Sequence, residues 1–444
     1  MALTRSSARS RASSTPVLIV GTGVTALGVI RILGRRGIPL WAVPGDDAVT
    51  RRSRWFRPAP AAAEGLDLGC GLAPYLKRLQ IEGAVLIPCS DEFALETAHL
   101  PPDLARRFPS FQPSVATLER VLDKWAFHSV LREHDIPCPA TYRVNRPDDT
   151  RSIEWVDSRA LFVKPRDSQA FFRHFGVKGF MARNREELEE LAARAGAAGL
   201  RLMVQEYVPG PATNHYFIDG FATEGGAITA HLVRQRLRMF PPDFGNSSAV
   251  VTVPTAEAGP ALDSLRRLLP ALEYRGIFSA EFKQDEVDGS FRILEINARP
   301  WWYVDFAARS GLDVIKMVYD AAQGAVPSTP ARPCALGRRL VFPYYHLSAC
   351  IHDRGWARGL PCFLRDLPGA QHPVLALDDP RPGVHEWRRL GGAFLKRRLS
   401  RVAGVQRGSR SVSRVSAAST SVAAGSSSGV SATRSARVRR SRKR

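Results

Sequence analysis

Three polar side chains share one face of a predicted strand near the end of the segment 278–300. Glu295, Asn297 and Arg299 are spaced two residues apart. Because successive residues of a strand point to opposite faces, these three side chains lie on the same side of it. One strand therefore presents a carboxylate, an amide and a guanidinium together.

A second carboxylate is predicted to lie beside them. If residues 287–289 form a three-residue loop with Gly289 in the left-handed conformation, residue 286 pairs with 290 and Glu281 lies opposite Glu295. Opposed side chains have Cβ atoms about 5 Å apart, and like charges there are destabilising unless a cation lies between them. Oxygen ligands without His or Cys favour Mg²⁺ over zinc, with Mn²⁺ also compatible. The alternative explanation is a solvated hairpin surface.

Three lysines upstream are candidates for contact with phosphate oxygens. Lys124 begins a predicted helix, Lys164 ends a predicted strand, and Lys178 lies in the following loop. An ammonium group with three donors suits phosphate oxygens. Each lysine taken alone is better explained as a solvated surface residue.

The first predicted strand covers residues 17–20, and a Gly-rich turn follows it. Gly21 and Gly23, with Gly28 in the helix that follows, would let backbone approach a phosphate. A dinucleotide-binding turn has a third glycine where Ala26 stands here, and an acid at the end of the second strand. The turn gives little support to a nicotinamide-dependent enzyme, and a structural turn is the alternative. No Walker A lysine is present, which excludes a P-loop enzyme.

The strand 202–208 is followed directly by Pro209 and Gly210. A strand that ends in this way presents backbone N–H and C=O groups of the kind that an adenine edge requires. An ordinary strand and turn explains the same motif.

The order of predicted elements divides the chain into several regions. A β-α-β opening and a further strand at 84–87 predict an N-terminal open parallel α/β domain over residues 16–113. Helices and strands predict a second domain over 114–325, so the fold class is α/β and α+β. Residues 326–400 give isolated elements without a predicted assembly.

The positive charge of the chain is concentrated at its ends. The net charge is +21, but residues 401–444 contain eleven Lys or Arg and no acid. Residues 1–15 and 401–444 are rich in Ser, Ala and Arg, so they are predicted to be disordered. The tail has no recognisable module that reads nucleic acid, so only non-specific contact through its charge is expected.

Two further features indicate the class of protein. No apolar run is long enough to span a membrane. The six cysteines are scattered, with no Cys-x-x-Cys pair, which is typical of a protein of the reducing cytoplasm.

The order of these motifs resembles the ATP-grasp superfamily. A parallel α/β domain, Lys124, Lys164, the segment Glu206–Gly210 and the strand 294–300 follow one another over residues 16–325. The closest resemblance is to the carbamoyl-phosphate-synthase-like carboxylate–amine ligases, including predicted ATP-dependent carboligases. It implies an ATP-grasp fold, with a lid subdomain at about 140–210, behind an N-terminal Rossmann-like (pre-ATP-grasp) domain.

The resemblance assigns a nucleotide-binding role to five residues. It implies that Lys124 and Lys164 contact the ATP phosphates, with Lys178 as a further candidate. It also implies that Glu206 and the backbone of Val208 bind adenine.

The resemblance also assigns the metal ligands and the catalytic residues. Glu281, Glu295 and Asn297 would hold magnesium. Arg299 would face the transferred phosphate or the acyl-phosphate, with Lys164 as the second catalytic residue.

Two segments depart from the family pattern. The loop 166–176 is bulky and basic where a Gly-rich lid is usual, which leaves its role as a lid open. Residues 211–214 contain no acid for the ribose, so Thr213 or Asn214 would bind it more weakly.

Together, these motifs predict an ATP- and Mg²⁺-dependent ligase. It would activate a small-molecule carboxylate as an acyl-phosphate for attack by an amine or similar nucleophile, releasing ADP and phosphate. Two alternatives remain: an NAD(P)-dependent oxidoreductase that uses the N-terminal turn, and a non-catalytic nucleic-acid-associated protein that acts through its tail. A homodimer is one possible assembly.

Overall fold

The structure of the chain is a computed structural model. It describes residues 14–43, 47–60, 68–155, 160–165, 174–175, 179–242, 245–327 and 332–389. Of the ends predicted to be disordered, 1–15 and 401–444, all but residues 14 and 15 lie outside the described residues. None of the helices in the described ranges is both long enough and apolar enough to cross a membrane.

Three parallel strands form the N-terminal sheet, as predicted. They are β1 (Val17–Val20), β2 (Leu40–Ala42) and β3 (Val85–Pro88), in the order β2-β1-β3. β1 and β3 are buried along their whole length, as expected for parallel strands covered on both faces. The helices of this region are α1 (Gly23–Arg35), α2 (Leu72–Arg78), α3 (Asp91–Ala98) and α4 (Pro102–Arg107).

The glycines of the first turn have structural roles. Gly21 and Gly23 have positive φ angles of 120° and 77°, which other residues rarely adopt. The Gly23 N–H donates to Asp47 Oδ2 at 2.8 Å. A Cβ at Gly28 would lie 2.8 Å from Val304 Cγ1, so this glycine allows close helix packing. These contacts agree with the structural explanation of the turn.

A four-stranded antiparallel sheet follows two short helices, α5 (Val115–Leu122) and α6 (Lys124–Glu133). Its strands are β4 (Thr141–Val144), β5 (Leu161–Pro165), β6 (Phe180–Ala182) and β7 (Leu202–Glu206), in the order β4-β7-β5-β6. Helix α7 (Arg185–Ala197) shares the apolar core of this sheet. The Asp123 side chain caps α6 and thereby fixes the position of Lys124 at its first turn.

The largest sheet has six antiparallel strands in the order β12-β11-β8-β9-β10-β13. The strands are β8 (His215–Ala222), β9 (Ile228–Phe240), β10 (Asn246–Val253), β11 (Gly276–Gln284), β12 (Phe291–Asn297) and β13 (Arg339–Val341). Helices α8 (Gly259–Ala271), α9 (Val304–Arg309) and α10 (Val314–Ala322) supply apolar residues to the cores that it shares.

The turn of the β11–β12 hairpin differs from the predicted one. The last strand pair is Gln284 with Phe291. The Asp285 N–H donates to the Ser290 carbonyl at 2.9 Å, so the connection is longer than three residues. Gly289 does adopt a left-handed φ of 72°. The prediction of a three-residue loop, with residue 286 opposite 290, is wrong.

The predicted pairing of the two glutamates is nevertheless confirmed. Phe282 pairs with Ile293, whereas the next pair is Glu281 with Glu295. Leu294 is thus an extra residue on β12, a β-bulge that shifts the register by one. The bulge compensates for the different turn.

The C-terminal part of the described chain, for which no assembly was predicted, packs on the other regions. β13 extends the six-stranded sheet, α11 (Pro343–Asp366) contacts β9, and residues 380–389 are helical. Arg31 Nε of α1 lies 3.0 Å from Asp379 Oδ2, and both side chains are fully buried. This ion pair joins the C-terminal part to the N-terminal sheet.

Candidate active site

Glu281 is fixed in position by strands on its own sheet. Its Oε1 accepts hydrogen bonds from Arg236 Nη2 at 2.9 Å and from His215 Nδ1 at 2.8 Å. Its Oε2 has no hydrogen-bond partner within the described ranges. Burial opposes ionisation, but the charge of Arg236 and then the His215 hydrogen bond lower the pKa of Glu281 to about 2. Glu281 is therefore ionised at neutral pH.

His215 is a neutral hydrogen-bond donor at neutral pH. Burial lowers the pKa of its imidazole to about 4, against the opposing effect of Glu281. Since the Glu281 carboxylate can only accept, the ring proton is assigned to Nδ1. Arg236 therefore supplies the balancing positive charge at this carboxylate.

Glu295 lies opposite Glu281 and is repelled by its negative charge. Its side chain is exposed in an open cleft, and Asn297 Nδ2 donates to its Oε1 at 3.3 Å. Desolvation by the surrounding protein, followed by the negative charge of Glu281, raises the pKa of Glu295. The nearby Lys164 acts in the opposite direction.

Lys164 extends from the four-stranded sheet toward these carboxylates. Its Nζ donates to Gln205 Oε1 at 3.0 Å. Burial, followed by the charge of Lys124, lowers the pKa of Lys164 to about 8, while Glu295 and Glu281 oppose the shift. Lys164 is therefore close enough to Lys124, Glu281 and Glu295 for their charges to affect its protonation.

The oxygen ligands at this cleft fit a divalent cation. Two carboxylates and the Asn297 side chain are adjacent, and Glu281 retains an oxygen without a hydrogen-bond partner in the described part of the chain. Desolvation and then repulsion by Glu281 raise the pKa of Glu295, and a cation between the carboxylates would relieve the repulsion. The arrangement meets the ligand chemistry of Mg²⁺.

A second buried arginine lies on the same face of β9. Arg234 donates to Asp219 from Nε at 2.7 Å and from Nη2 at 3.2 Å, and both side chains are almost fully buried. Ser279 Oγ also donates to Asp219, at 2.7 Å. Four residues at this site were not predicted from the sequence: Arg234, Arg236, Asp219 and His215. Arginine at every second position after residue 233 is the sequence pattern from which part of this cluster could have been predicted.

The chain is similar in sequence to a D-aspartate ligase from Enterococcus faecium (strain Aus0004). The two are 24% identical over 242 residues, which are 53% of this chain and 57% of that protein. The chain thus matches little more than half the length of this curated relative. No protein-family model matches the chain.

Solved structures match more of the chain. An L-amino acid ligase from Bacillus licheniformis superposes with a TM-score of 0.55 at 14% identity, covering 74% of this chain and 80% of that one. An N5-carboxyaminoimidazole synthetase from Staphylococcus aureus gives a TM-score of 0.55 at 12% identity, covering 77% and 86%. The chain has an ATP-grasp fold. The fold predicted from the order of the motifs is confirmed.

Arg299, one of the predicted catalytic residues, is held by the N-terminal region of the chain. Its Nε and Nη2 lie 2.9 Å and 3.2 Å from the two oxygens of Asp91. Asp91 is the first residue of α3, which Ser90 caps. Arg299 also influences the charge state of Glu295, so it lies near the carboxylates. Its role at the transferred phosphate stays a prediction.

The predicted adenine-binding residues differ in their surroundings. Glu206 Oε2 lies 2.9 Å from Arg292 Nη1 and accepts the Ala140 N–H at 3.3 Å, so its carboxylate already has partners. The Val208 N–H has none within the described ranges. The backbone of Val208 is thus the better placed of the two for contact with a base.

The remaining predicted groups are Lys178, the loop 166–176, Thr213 and Asn214, and their roles stay predictions. Lys178 lies outside the described residues, as does most of the loop 166–176. Asn214 donates its amide to the Gln284 carbonyl at 3.0 Å, and the Thr213 carbonyl accepts from Gln235 Nε2 at 2.8 Å.

A cavity of about 340 Å³ opens beside this segment. Its lining includes Tyr207, Gly210, His215, Lys283 and Met239. Its lining therefore comes from the segment after β7, from β8, from β9 and from β11, the strand that carries Glu281.

Proposed function

We propose that the chain is an ATP- and Mg²⁺-dependent carboxylate–amine ligase. The observation that carries the proposal is the pairing of Glu281 with Glu295 in front of Lys164 and Lys124, on an ATP-grasp fold. The two carboxylates repel each other and would be stabilised by a metal cation, while the two ammonium groups would be stabilised by a triphosphate. A metal–triphosphate supplies both charges.

The proposed reaction makes a poor electrophile reactive. A carboxylate oxygen attacks the γ-phosphorus of ATP, the bond to the β-phosphate oxygen breaks, and ADP leaves. The amine then attacks the acyl carbon, phosphate leaves with the bonding electrons, and loss of a proton gives the amide. The protein mainly positions the reactants and stabilises developing charge.

Some residues of the proposed site would bind the metal, and others would bind the phosphates. Glu281, Glu295 and Asn297 would hold Mg²⁺, which supplies charge neutralisation at the phosphates when bound. Lys124 and Lys164 would contact phosphate oxygens. This division explains why the cleft is built from both acids and bases.

We further propose that the activated acid is an amino acid or a close relative of one. The support is the substrate class of two similar proteins, because Arg234 and Arg236 are buried and already paired with Asp219 and Glu281. The D-aspartate ligase and the L-amino acid ligase named above act on substrates of this class by their names. The cytoplasmic location and the homodimer stay predictions.

Two experiments test the proposal. The first measures binding of ATP with Mg²⁺ by calorimetry, which needs no knowledge of the acid. The second supplies ATP, Mg²⁺ and hydroxylamine with a panel of D- and L-amino acids, including both aspartates, and measures hydroxamate and ADP. We expect Glu281→Gln to abolish product and Glu295→Gln to reduce it sharply at a fixed, low Mg²⁺ concentration, while Glu286→Gln at the exposed hairpin tip retains it. Undiminished product in the first two variants would refute the site, and AMP instead of ADP would refute the acyl-phosphate.

The two alternatives have weaker support. The glycines of the N-terminal turn are engaged in local hydrogen bonding and helix packing, so no observation favours a nicotinamide site there. The nucleic-acid alternative rests on residues 401–444, which lie outside the described ranges. Deleting them is expected to leave ligase activity intact.

A further inference from the structure

A separate cluster of metal-ligating side chains lies on α11. The first half of this helix carries His346 and Cys350, and the second half carries Cys362 and Asp366. Each pair is spaced four residues apart, so its two members lie on one face of a helical turn. The two halves meet at Gly355, whose φ of 68° and ψ of 171° are not helical.

The two halves of α11 are packed closely enough to bring these pairs together. A Cβ at Gly359 would lie 2.6 Å from the Cys350 carbonyl oxygen, so the helix backbones touch there. The glycines at 355 and 359 thus allow the chain to fold back on itself. The ligand pairs of the two halves consequently face each other.

The distances within the cluster match those of a tetrahedral metal site. His346 Nε2 lies 3.1 Å from Asp366 Oδ2 and 3.6 Å from Cys350 Sγ, and Cys362 Sγ lies 3.8 Å from the same Asp366 oxygen. Ligand atoms about 2.0–2.3 Å from a tetrahedral zinc are about 3.3–3.8 Å from one another. The ligand atoms of His346, Cys350 and Asp366 all lie within 4.8 Å of one another, so these three side chains need only small shifts to accept a metal. Cys362, which contacts Asp366, has to turn toward the other two to become the fourth ligand.

The cluster is buried and lies among positive charges. His346, Cys350 and Cys362 are 1%, 0% and 5% exposed. Arg238 Nη2 and Arg365 Nη2 lie 3.6 Å and 3.7 Å from Cys362 Sγ. The His346 Nδ1 has no hydrogen-bond partner within the described ranges, so the ring is oriented through Nε2.

We propose that His346, Cys350, Cys362 and Asp366 form a structural zinc site. Two thiolates and an imidazole select zinc over magnesium, and four protein ligands leave no open position for catalysis. The ion would cross-link the two halves of α11. This site is distinct from the proposed ATP site, and its existence does not depend on the proposed ligase activity.

The site would also support the sheet that carries the active-site arginines. Arg238 of β9 interacts with Asp353 and Cys362 of α11. Arg236, two residues earlier on the same strand, holds Glu281. Loss of zinc is therefore expected to loosen α11 first and then to affect the end of β9.

The experiment measures metal content of the full chain, purified under reducing conditions and dialysed with Zn²⁺. Mass spectrometry of the elements is expected to find about one zinc per chain, bound tightly enough to survive removal of excess metal. Competition with a chromophoric chelator is expected to show at least about tenfold weaker zinc binding in Cys350→Ser and in Cys362→Ser. Less than a tenth of an equivalent in the unmodified chain, or equal binding in these variants, overturns the proposal.

Matched controls separate this site from other thiols and from the ATP site. Cys138 Sγ lies 3.6 Å from His128 Nδ1, the same spacing as in the proposed site but without its other ligands, so Cys138→Ser is expected to retain zinc. Glu281→Gln, which removes a proposed Mg²⁺ ligand, is expected to retain it too.

A measurement on the unmodified chain tests the site even if the variants misfold. Replacement of zinc by Co²⁺ is expected to produce thiolate-to-cobalt charge-transfer absorption, since Cys ligands bind the ion directly. A Co²⁺ spectrum without such absorption, or a Cys350–Cys362 disulfide in the freshly purified protein, overturns the proposal.

Discussion

Arg236 reaches across strand β8 and donates a hydrogen bond to Glu281, 45 residues further along the chain. The same oxygen accepts the His215 N–H, so one side of the carboxylate is fixed by two donors. The other oxygen is left for a cation. The geometry of the proposed metal site is therefore set by a neighbouring strand as much as by the hairpin itself.

Removing Arg236 is expected to destabilise the fold. Arg236→Met leaves Glu281 as a buried charge without its cationic partner, which costs on the order of 3 kcal/mol. Urea unfolding measures the loss. Arg266→Met is the control, because the Arg266–Asp263 pair is exposed and its loss is expected to cost less than about 0.5 kcal/mol. Equal losses in the two variants would show that Arg236 has no special role.

Neutralising Glu295 is expected to weaken metal use more than folding. Glu295→Gln removes a proposed ligand and the repulsion with Glu281, so the stability of the metal-free chain should be unchanged or slightly higher. The Mg²⁺ concentration that gives half-maximal activity is expected to rise at least about tenfold. Glu286→Gln serves as the control. An unaltered Mg²⁺ requirement would remove Glu295 from the ligand set.

The affinity for ATP is expected to fall with rising pH through Lys164. The pKa of this lysine is about 8, so its positive charge is present below that value and is lost above it. The Kd of ATP is therefore expected to increase by about tenfold between roughly pH 7 and 9.5, as one phosphate contact loses its charge.

A variant with a permanent charge tests this pH dependence. Arginine stays protonated throughout the range, so Lys164→Arg is expected to show a nearly flat Kd in the same calorimetric titration. An equally steep rise in the variant would assign the pH effect to another group.

The ion pair between Asp91 and Arg299 is expected to serve catalysis by positioning. Asp91→Asn removes the bidentate anchor while Arg299 remains, so kcat is expected to fall by about tenfold with the KM for ATP within about twofold. The exposed neighbour on the same helix provides the control variant Glu92→Gln. Steady-state kinetics distinguish the two. A fall in ATP affinity with unchanged kcat would contradict a positioning role.

Local sequence rules determined the elements of the site. Alternation along β12 placed Glu295 and Asn297 on one face because strand side chains repeat every two residues. The Asp123 side chain capped the helix that begins with Lys124, as short-range hydrogen bonding favours. The order of these elements along the chain was also sufficient to predict the ATP-grasp fold.

The register of the hairpin shows where local rules were insufficient. The turn after Gln284 is longer than its glycine suggested, and a bulge at Leu294 restores the pairing of the glutamates. The longer turn and the bulge thus have opposite effects on the strand register, and the two effects cancel. A bulge depends on packing against both faces of the sheet, which spacing alone does not contain.

Only the tertiary structure decided which charged groups meet. Asp91 and Arg299 are 208 residues apart, and the partners of Glu281 come from strands β8 and β9. The fold likewise brought Cys362 and Asp366 back onto His346 and Cys350 through the break at Gly355. Residue types and periodicity determined what each element could present. Chain reversal and sheet order decided what each charge faces, because burial and Coulomb interactions depend on distance in space rather than along the sequence.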